Sequence, residues 1–201
     1  MRYTMQQMYP TPLYVGKVTD IDVLQNEIDN IYNDIRWISA PVSWGHTHDV
    51  TAGMFNGNFI DDYKLINFKT EILKSVEHYC RNIGFKYTDN FDMTSWMTRF
   101  SKGSFAKVHT HGAAHLSGCY YYKTNGEDGS LYFESPVPAA ECSLAFTAMH
   151  TKMNLHKPEV GKLLIFPGWL RHGVTSNNTD NVRHSIAFNI TFKGAPDGIS
   201  L

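Results

Sequence analysis

The chain has 201 residues, 18% of them charged, and a formal net charge of −1. That length supports one domain with a real core and is short for two, and the near-zero charge excludes the broad attraction to phosphate backbones or anionic membrane surfaces that a basic protein would show. The longest apolar runs, such as Leu163 to Phe166, fall far below the roughly 18 residues of a membrane-spanning helix, and the start MRYTMQQMYPTPLY carries no charged-then-apolar leader.

Cys80, Cys119 and Cys142 are too few, and odd in number, for a disulfide framework, so a reducing, cytoplasmic compartment is expected. Ile21, Leu24, Ile28, Ile31 and Ile35 recur at helical spacing, which predicts an amphipathic helix from Asp20 to Ile35 with Asp20 or Asp22 as N-cap. Trp44 to Asn58 is glycine-rich and irregular and reads as a loop. Leu65, Phe68, Ile72, Val76, Tyr79, Cys80 and Ile83 form a stronger stripe, predicting a helix over about 61–83 that stops at Gly84.

Beyond Gly84 the pattern shortens to β-rich runs at 93–100, 105–109, 115–123, 130–134, 143–148, 162–166 and 182–192, separated by Lys102-Gly103, Asn125 to Gly129 and Ser176-Asn177-Asn178. Helices followed by seven or eight strands make an α+β domain. The expected organisation is a single domain over 1–201: a helical part of about 1–84 backs a β core of about 90–195, built as a jelly roll, the cupin-like double-stranded β-helix.

The segment RFSKGSFAKVHTHGAAHLSGCYYYK holds the first chemical signal. Alternate residues of a strand share a face, so His109 and His111 can aim two imidazoles at one point. Imidazole suits several transition metals, so the pair indicates a metal without naming it. A third ligand from a distant strand is supplied by His172 in GKLLIFPGWLRHGV. Arg183 and Ser185 follow on the strand VRHSIAFNI, where a guanidinium fork and a hydroxyl on one face can hold a carboxylate.

A histidine pair, a distal histidine and a later Arg-x-Ser resemble the arrangement of 2-oxoglutarate/Fe(II) oxygenases. Phe100, Gly103 and His109 are spaced like the approach to the first ligand in prolyl 4-hydroxylase-type members. The closer resemblance is to a family of 2-oxoglutarate/Fe(II) oxygenases found in bacteria and phages. It rests on Tyr9-Pro10-Thr11-Pro12, His109-Thr110-His111, Leu116 to Tyr121 and Phe166 to His172. The resemblance implies Fe(II) on His109, His111 and His172, with 2-oxoglutarate and O2 as co-substrates. It further implies Arg183 and Ser185 on the far carboxylate of 2-oxoglutarate, with a hydroxyl from Tyr120 or Tyr122 beside it. His111 stands where the wider superfamily carries a carboxylate, so three neutral imidazoles would leave the ion doubly positive until the co-substrate neutralises it.

Protein or peptide hydroxylation is the first substrate class this resemblance points to. A nucleobase, a sugar or a small metabolite fits the composition as well, and a homodimer is compatible with it. Two other readings of the same residues stand beside it: a three-histidine cupin-type metalloenzyme that does not use 2-oxoglutarate, and a non-catalytic metal-binding β-sandwich module. His46-Thr47-His48-Asp49 repeats the histidine pair inside the glycine-rich stretch and competes for the metal or forms a lid. His115 is expected beside the ligands or toward substrate, while Trp96, Trp169, Phe188 and Cys119 are expected in the core.

Overall fold

Side-chain alternation along long antiparallel strands builds the second half of the molecule. The structure is a computed structural model that describes residues 10–46, 48–53, 57–137 and 153–194. Its strands are β1 (Tyr14–Lys17), β2 (Trp37–Ser39), β3 (Gly45–His46), β4 (Asp49–Thr51), β5 (Phe91–Phe100), β6 (Phe105–His109), β7 (Leu116–Lys123), β8 (Leu131–Glu134), β9 (Met153–His156), β10 (Lys162–Pro167), β11 (His172–Val174) and β12 (Arg183–Phe192). They form a seven-stranded sheet, β1-β10-β7-β12-β5-β4-β2, and a five-stranded sheet, β3-β6-β11-β8-β9. The double-stranded β-helix expected from the sequence is the fold.

Both faces of the larger sheet are buried. On one face Met97, Tyr120, Tyr122, Leu163, Ile165, Ile186, Ile190 and Phe192 meet a helical layer of Leu24, Ile28, Phe68, Ile72 and Val76. On the other, Tyr121, Leu164 and Phe166 meet Leu131 and Phe133 of the smaller sheet. Burial on both sides explains why LSGCYYYK reads as a continuous apolar run rather than an alternating one.

The helical layer comprises α1 (Ile21–Ile31), α2 (Phe59–Asp62) and α3 (Ile66–Asn82). α1 is shorter than its periodicity predicts because a 3-10 turn at Tyr32–Asp34 tightens its end and Ile35 is already extended toward β2. Neither expected N-cap bonds through its side chain; Glu27 on α1 instead accepts the backbone N–H groups of Asn67 and Phe68 and so caps α3 from a neighbouring helix. The second predicted helix is divided at Lys64, whose φ of 55° is left-handed and turns the chain from α2 into α3. The stretch read as a loop contributes β3 and β4, and β1, β2, β9 and β11 are strands too short to announce themselves by pattern. The expected strand at 143–148 lies outside the described residues.

Candidate metal centre

β6 and β11 pair antiparallel with His109 opposite His172 and Ala106 opposite Val174. Four residues on β6 thus span three on β11. This bulge lets Ala106 and His109 both face inward despite their odd spacing. His172 follows the turn Pro167 to Arg171, and His111 lies just past the end of β6. The backbone N–H of His111 donates to Gly168 O at 2.8 Å, and the N–H of Gly168 donates to His115 O at 3.1 Å. The loop after β6 is thereby clipped to the turn before β11. Gly168 is needed there because a Cβ would fall 2.2 Å from Ala114 O.

These constraints bring His109, His111 and His172 together: one ring nitrogen from each lies within 4.8 Å of the others, near enough for one cation to be shared. His172 is buried, His111 half-buried and His109 exposed. Burial, reinforced by the charge of His109, lowers the pKa of His111 to about 4 and that of His172 to about 3. Both imidazoles are therefore neutral near pH 7 and have a lone pair to give. Nδ1 of His109 donates to Lys107 O and Nδ1 of His172 to Leu170 O, each at 2.8 Å, which directs Nε2 of both rings away from the backbone.

The histidines line a cavity of about 400 Å³ that also touches Arg183, Ser185, Tyr121, Cys119, Trp96 and Asn189. Arg183 is 1% exposed. Its Nη1 donates to Gly129 O at 2.7 Å and its guanidinium lies 4.4 Å from the Phe100 ring centroid, but its Nε is buried without a partner. Asp180 pairs with Lys102 and Glu134 with Arg171, and the buried carboxylate of Asp128 accepts from Thr124, Asn125 and Asn181 instead. Among the described residues none forms a salt bridge with Arg183. An uncompensated buried cation costs several kcal/mol, and an anionic ligand in the cavity would offset that cost. A dicarboxylic acid with one end on the histidine-bound cation and the other on Arg183 fits this donor set. Ser185 lies beside it, its hydroxyl 2.8 Å from Thr98 Oγ1.

Tyr120 and Tyr122, expected near the co-substrate, are turned the other way. Tyr120 packs edge-on against Phe68, and the Tyr122 hydroxyl donates to Asp29. The residue between them, Tyr121, lines the cavity, with Ser117 and Cys119 on its face of β7. Strand parity is the reason: β12 pairs Ser185 with Tyr121 and Ala187 with Cys119, so the face of β7 that joins Arg183 is the odd-numbered one. That signal is present in the sequence, since Ser117, Cys119, Ser185 and Asn189 are the small and polar members of their strands. Trp96 and Phe188 are buried in the core as expected and also border the cavity, as does Cys119, whereas Trp169 is 54% exposed rather than in the core.

His48 does not join the histidine cluster. It is buried, lines the cavity and stacks on Phe100 with ring centroids 4.4 Å apart, while Asp49 pairs with Arg99. His115 accepts the Phe192 N–H at Nδ1 and lies outside the cavity.

Residues 94–189 match a family model described as "Putative 2OG-Fe(II) oxygenase". Curated proteins yield no match. Among solved structures the chain is similar to an oxidoreductase of the 2OG-Fe(II) oxygenase family from Burkholderia pseudomallei, at 13% identity and a TM-score of 0.62, over 83% of this chain and 77% of that one. It is similar to a Pseudomonas putida prolyl-4-hydroxylase at 13% identity and 0.58, over 92% and 94%. HygX from Streptomyces hygroscopicus, solved with nickel and 2-oxoglutarate, aligns at 12% identity and 0.60, over 92% and 84%. At such identities these likenesses speak for the fold. The residues matched by the 2OG-Fe(II) oxygenase model, 94–189, are the segment that carries all three clustered histidines and the buried arginine.

Proposed function

We propose that the chain hydroxylates a C–H bond of a small-molecule or peptidyl substrate, with His109, His111 and His172 holding Fe(II) and with Arg183 and Ser185 holding the far carboxylate of 2-oxoglutarate. The observation that carries this reading is the buried guanidinium of Arg183, which shares a cavity with three converging imidazoles and has no carboxylate of its own among the described residues. When bound, iron, 2-oxoglutarate and O2 supply the chemistry, in which substrate R–H becomes R–OH while 2-oxoglutarate becomes succinate and CO2.

The chain's own residues have three tasks. His111 and His172 stay neutral so that their lone pairs are available. Arg183 fixes one end of the co-substrate, and Leu131, Phe166 and Val174 shield that end from water. Trp44 and Trp96 line the rest of the cavity, where no acidic side chain is present among the lining residues, which favours a neutral or anionic substrate with an apolar face.

The single domain over 1–201, acting as a monomer or a homodimer, belongs to this proposal. So does a cytoplasmic location, supported by the free thiols of Cys80 and Cys119; no helix among the described residues is long and apolar enough to cross a membrane. The test is anaerobic addition of Fe(II) and 2-oxoglutarate, which should give a weak visible charge-transfer band in the wild type and none in Arg183→Ala. A metallated wild type that shows no band, or that consumes O2 without forming succinate, would sink the proposal.

A further inference from the structure

Two of the three clustered imidazoles are oriented by main-chain carbonyls and the third is not. His109 and His172 each donate Nδ1–H to the carbonyl two residues earlier. Nδ1 of His111 instead faces the side-chain amide of Asn189, with Nδ2 at 3.4 Å. The other end of that amide, Oδ1, accepts a hydrogen bond from Ser117 Oγ at 2.7 Å. Ser117 and Asn189 are direct partners in the β7–β12 register, and both line the cavity, so the amide is fixed at one end and touches a ring of the cluster at the other.

In this orientation the amide donates and His111 Nδ1 accepts. A neutral imidazole whose Nδ1 accepts carries its proton on Nε2, and a protonated nitrogen has no lone pair to give a metal. Coordination through Nε2 requires the opposite arrangement, with Nδ1–H donating to an acceptor. A carboxamide can provide both, because half a turn about its terminal torsion exchanges oxygen for NH2 at nearly unchanged shape.

We infer that Asn189 is the positioning residue for His111: when a cation binds, its amide turns so that Oδ1 accepts Nδ1–H of His111 and Nδ2 donates to Ser117 Oγ. The inference rests on His111 being a metal ligand. Two hydrogen bonds are present before the turn and two after it, and the one proton relocated, from Nε2 to Nδ1 of the same ring, passes through solvent. Ser117 suits both states because its hydroxyl donates in one and accepts in the other. An aliphatic side chain at 189 could serve neither state, and an aspartate could serve the metal-bound one.

The test uses Fe(II) alone, under argon and at one pH, with the wild type, Asn189→Leu and Asn189→Asp. Asn189→Leu should bind about tenfold more weakly or worse, the usual effect of losing a partner behind a ligand, and Asn189→Asp should bind closer to the wild type than to the leucine variant. Unchanged melting of the metal-free variants would show that the fold is intact. Independently of any variant, 15N spectra of the Zn(II)-loaded wild type should show His111 protonated at Nδ1 and metal-bound at Nε2. Wild-type affinity in Asn189→Leu, an equal loss in both variants, or metal on Nδ1 of His111 would overturn the inference. A wild type that binds no cation would overturn the metal-centre reading beneath it instead.

Discussion

His109 and His172 face one another across the β6–β11 pair, with ring centroids 4.4 Å apart and each Nδ1 held by the carbonyl two residues before it. Strand register rather than loop conformation therefore sets two of the three candidate ligands. The same pairing holds each ring in place from its own main chain, so the geometry exists before any cation arrives.

Removal of either histidine should abolish stoichiometric metal binding. His172→Ala and His109→Ala should lower Fe(II) affinity by about 100-fold or more, whereas His115→Ala, outside the cavity, should leave it within about twofold. Metal content per chain after gel filtration checks this. A His115→Ala protein that loses its metal would mean the wrong histidines have been assigned.

Arg183 should control the co-substrate and not the metal. Arg183→Ala should weaken 2-oxoglutarate binding by about 100-fold, the cost of removing a buried charge-assisted pair, while Fe(II) affinity stays within about threefold. Arg183→Lys should recover only part of the loss, because an ammonium cannot present the guanidinium fork. Calorimetry with 2-oxoglutarate on Zn(II)-loaded protein separates the two effects.

The aromatic triplet on β7 offers a contrast within one strand. Tyr121→Phe removes a hydroxyl from the cavity face and should weaken 2-oxoglutarate binding by about three- to tenfold. Tyr120→Phe and Tyr122→Phe act on the helix-covered face and should leave that constant unchanged, although Tyr122→Phe leaves Asp29 with Lys123 alone and should cost about 1 kcal/mol of stability. Equal effects of all three on co-substrate binding would refute the parity assignment.

This contrast marks where sequence reading stops. The clustering of His109, His111 and His172 and the place of Arg183 and Ser185 in one cavity with them were legible because ligand chemistry restricts residue type and spacing, and the helical stripe ending at Gly84 was legible because one face of α3 is apolar. Tyr121 was not, because β7 is buried on both faces and its alternation does not say which face meets the cavity. That choice is made by the register with β12, a long-range property. Asn189 was missed as a cavity residue for the same reason, His48 lines the cavity without joining the histidine cluster, and the division of the second helix at Lys64 turns on one left-handed residue that periodicity cannot display.

Gly168 should be intolerant of a side chain in a specific way. A Cβ there meets the Ala114 carbonyl, so Gly168→Ala must push apart the turn before β11 and the loop carrying His111. Metal affinity should fall by about tenfold or more, with a stability loss of about 1–3 kcal/mol typical of overpacking. Denaturant unfolding of the metal-free protein, set beside metal titration, measures both.

Acid should destabilise the metal-free protein before its carboxylates titrate. His184 is buried, with Nδ1 donating to Val182 O and Nε2 accepting from the Tyr32 hydroxyl, and burial lowers its pKa from 6.5 to about 4. The unfolded chain takes up this proton near pH 6.5 and the folded chain only near pH 4. Between those values the unfolded state holds more protons, so stability is complete above about pH 6.5 and declines as pH falls toward 4. At pH 5 the His184 contribution is about 2 kcal/mol, and His111 and His172 act in the same direction. Urea unfolding at pH 7 and pH 5 should show this decline, reduced in His184→Gln; an identical pH slope in that variant would contradict the assignment.

The pairing of His109 with His172 also bears on how the smaller sheet breathes. β11 is only three residues long, and its pairing with β6 is interrupted by the bulge, so few main-chain hydrogen bonds hold the two together. A cation shared by these histidines would act as a removable cross-link between chain segments far apart in sequence. The amides of β6 and β11 should then exchange with solvent at a pace governed by metal release, and the slowest protons in this half of the molecule would serve as a clock for the lifetime of the bound ion.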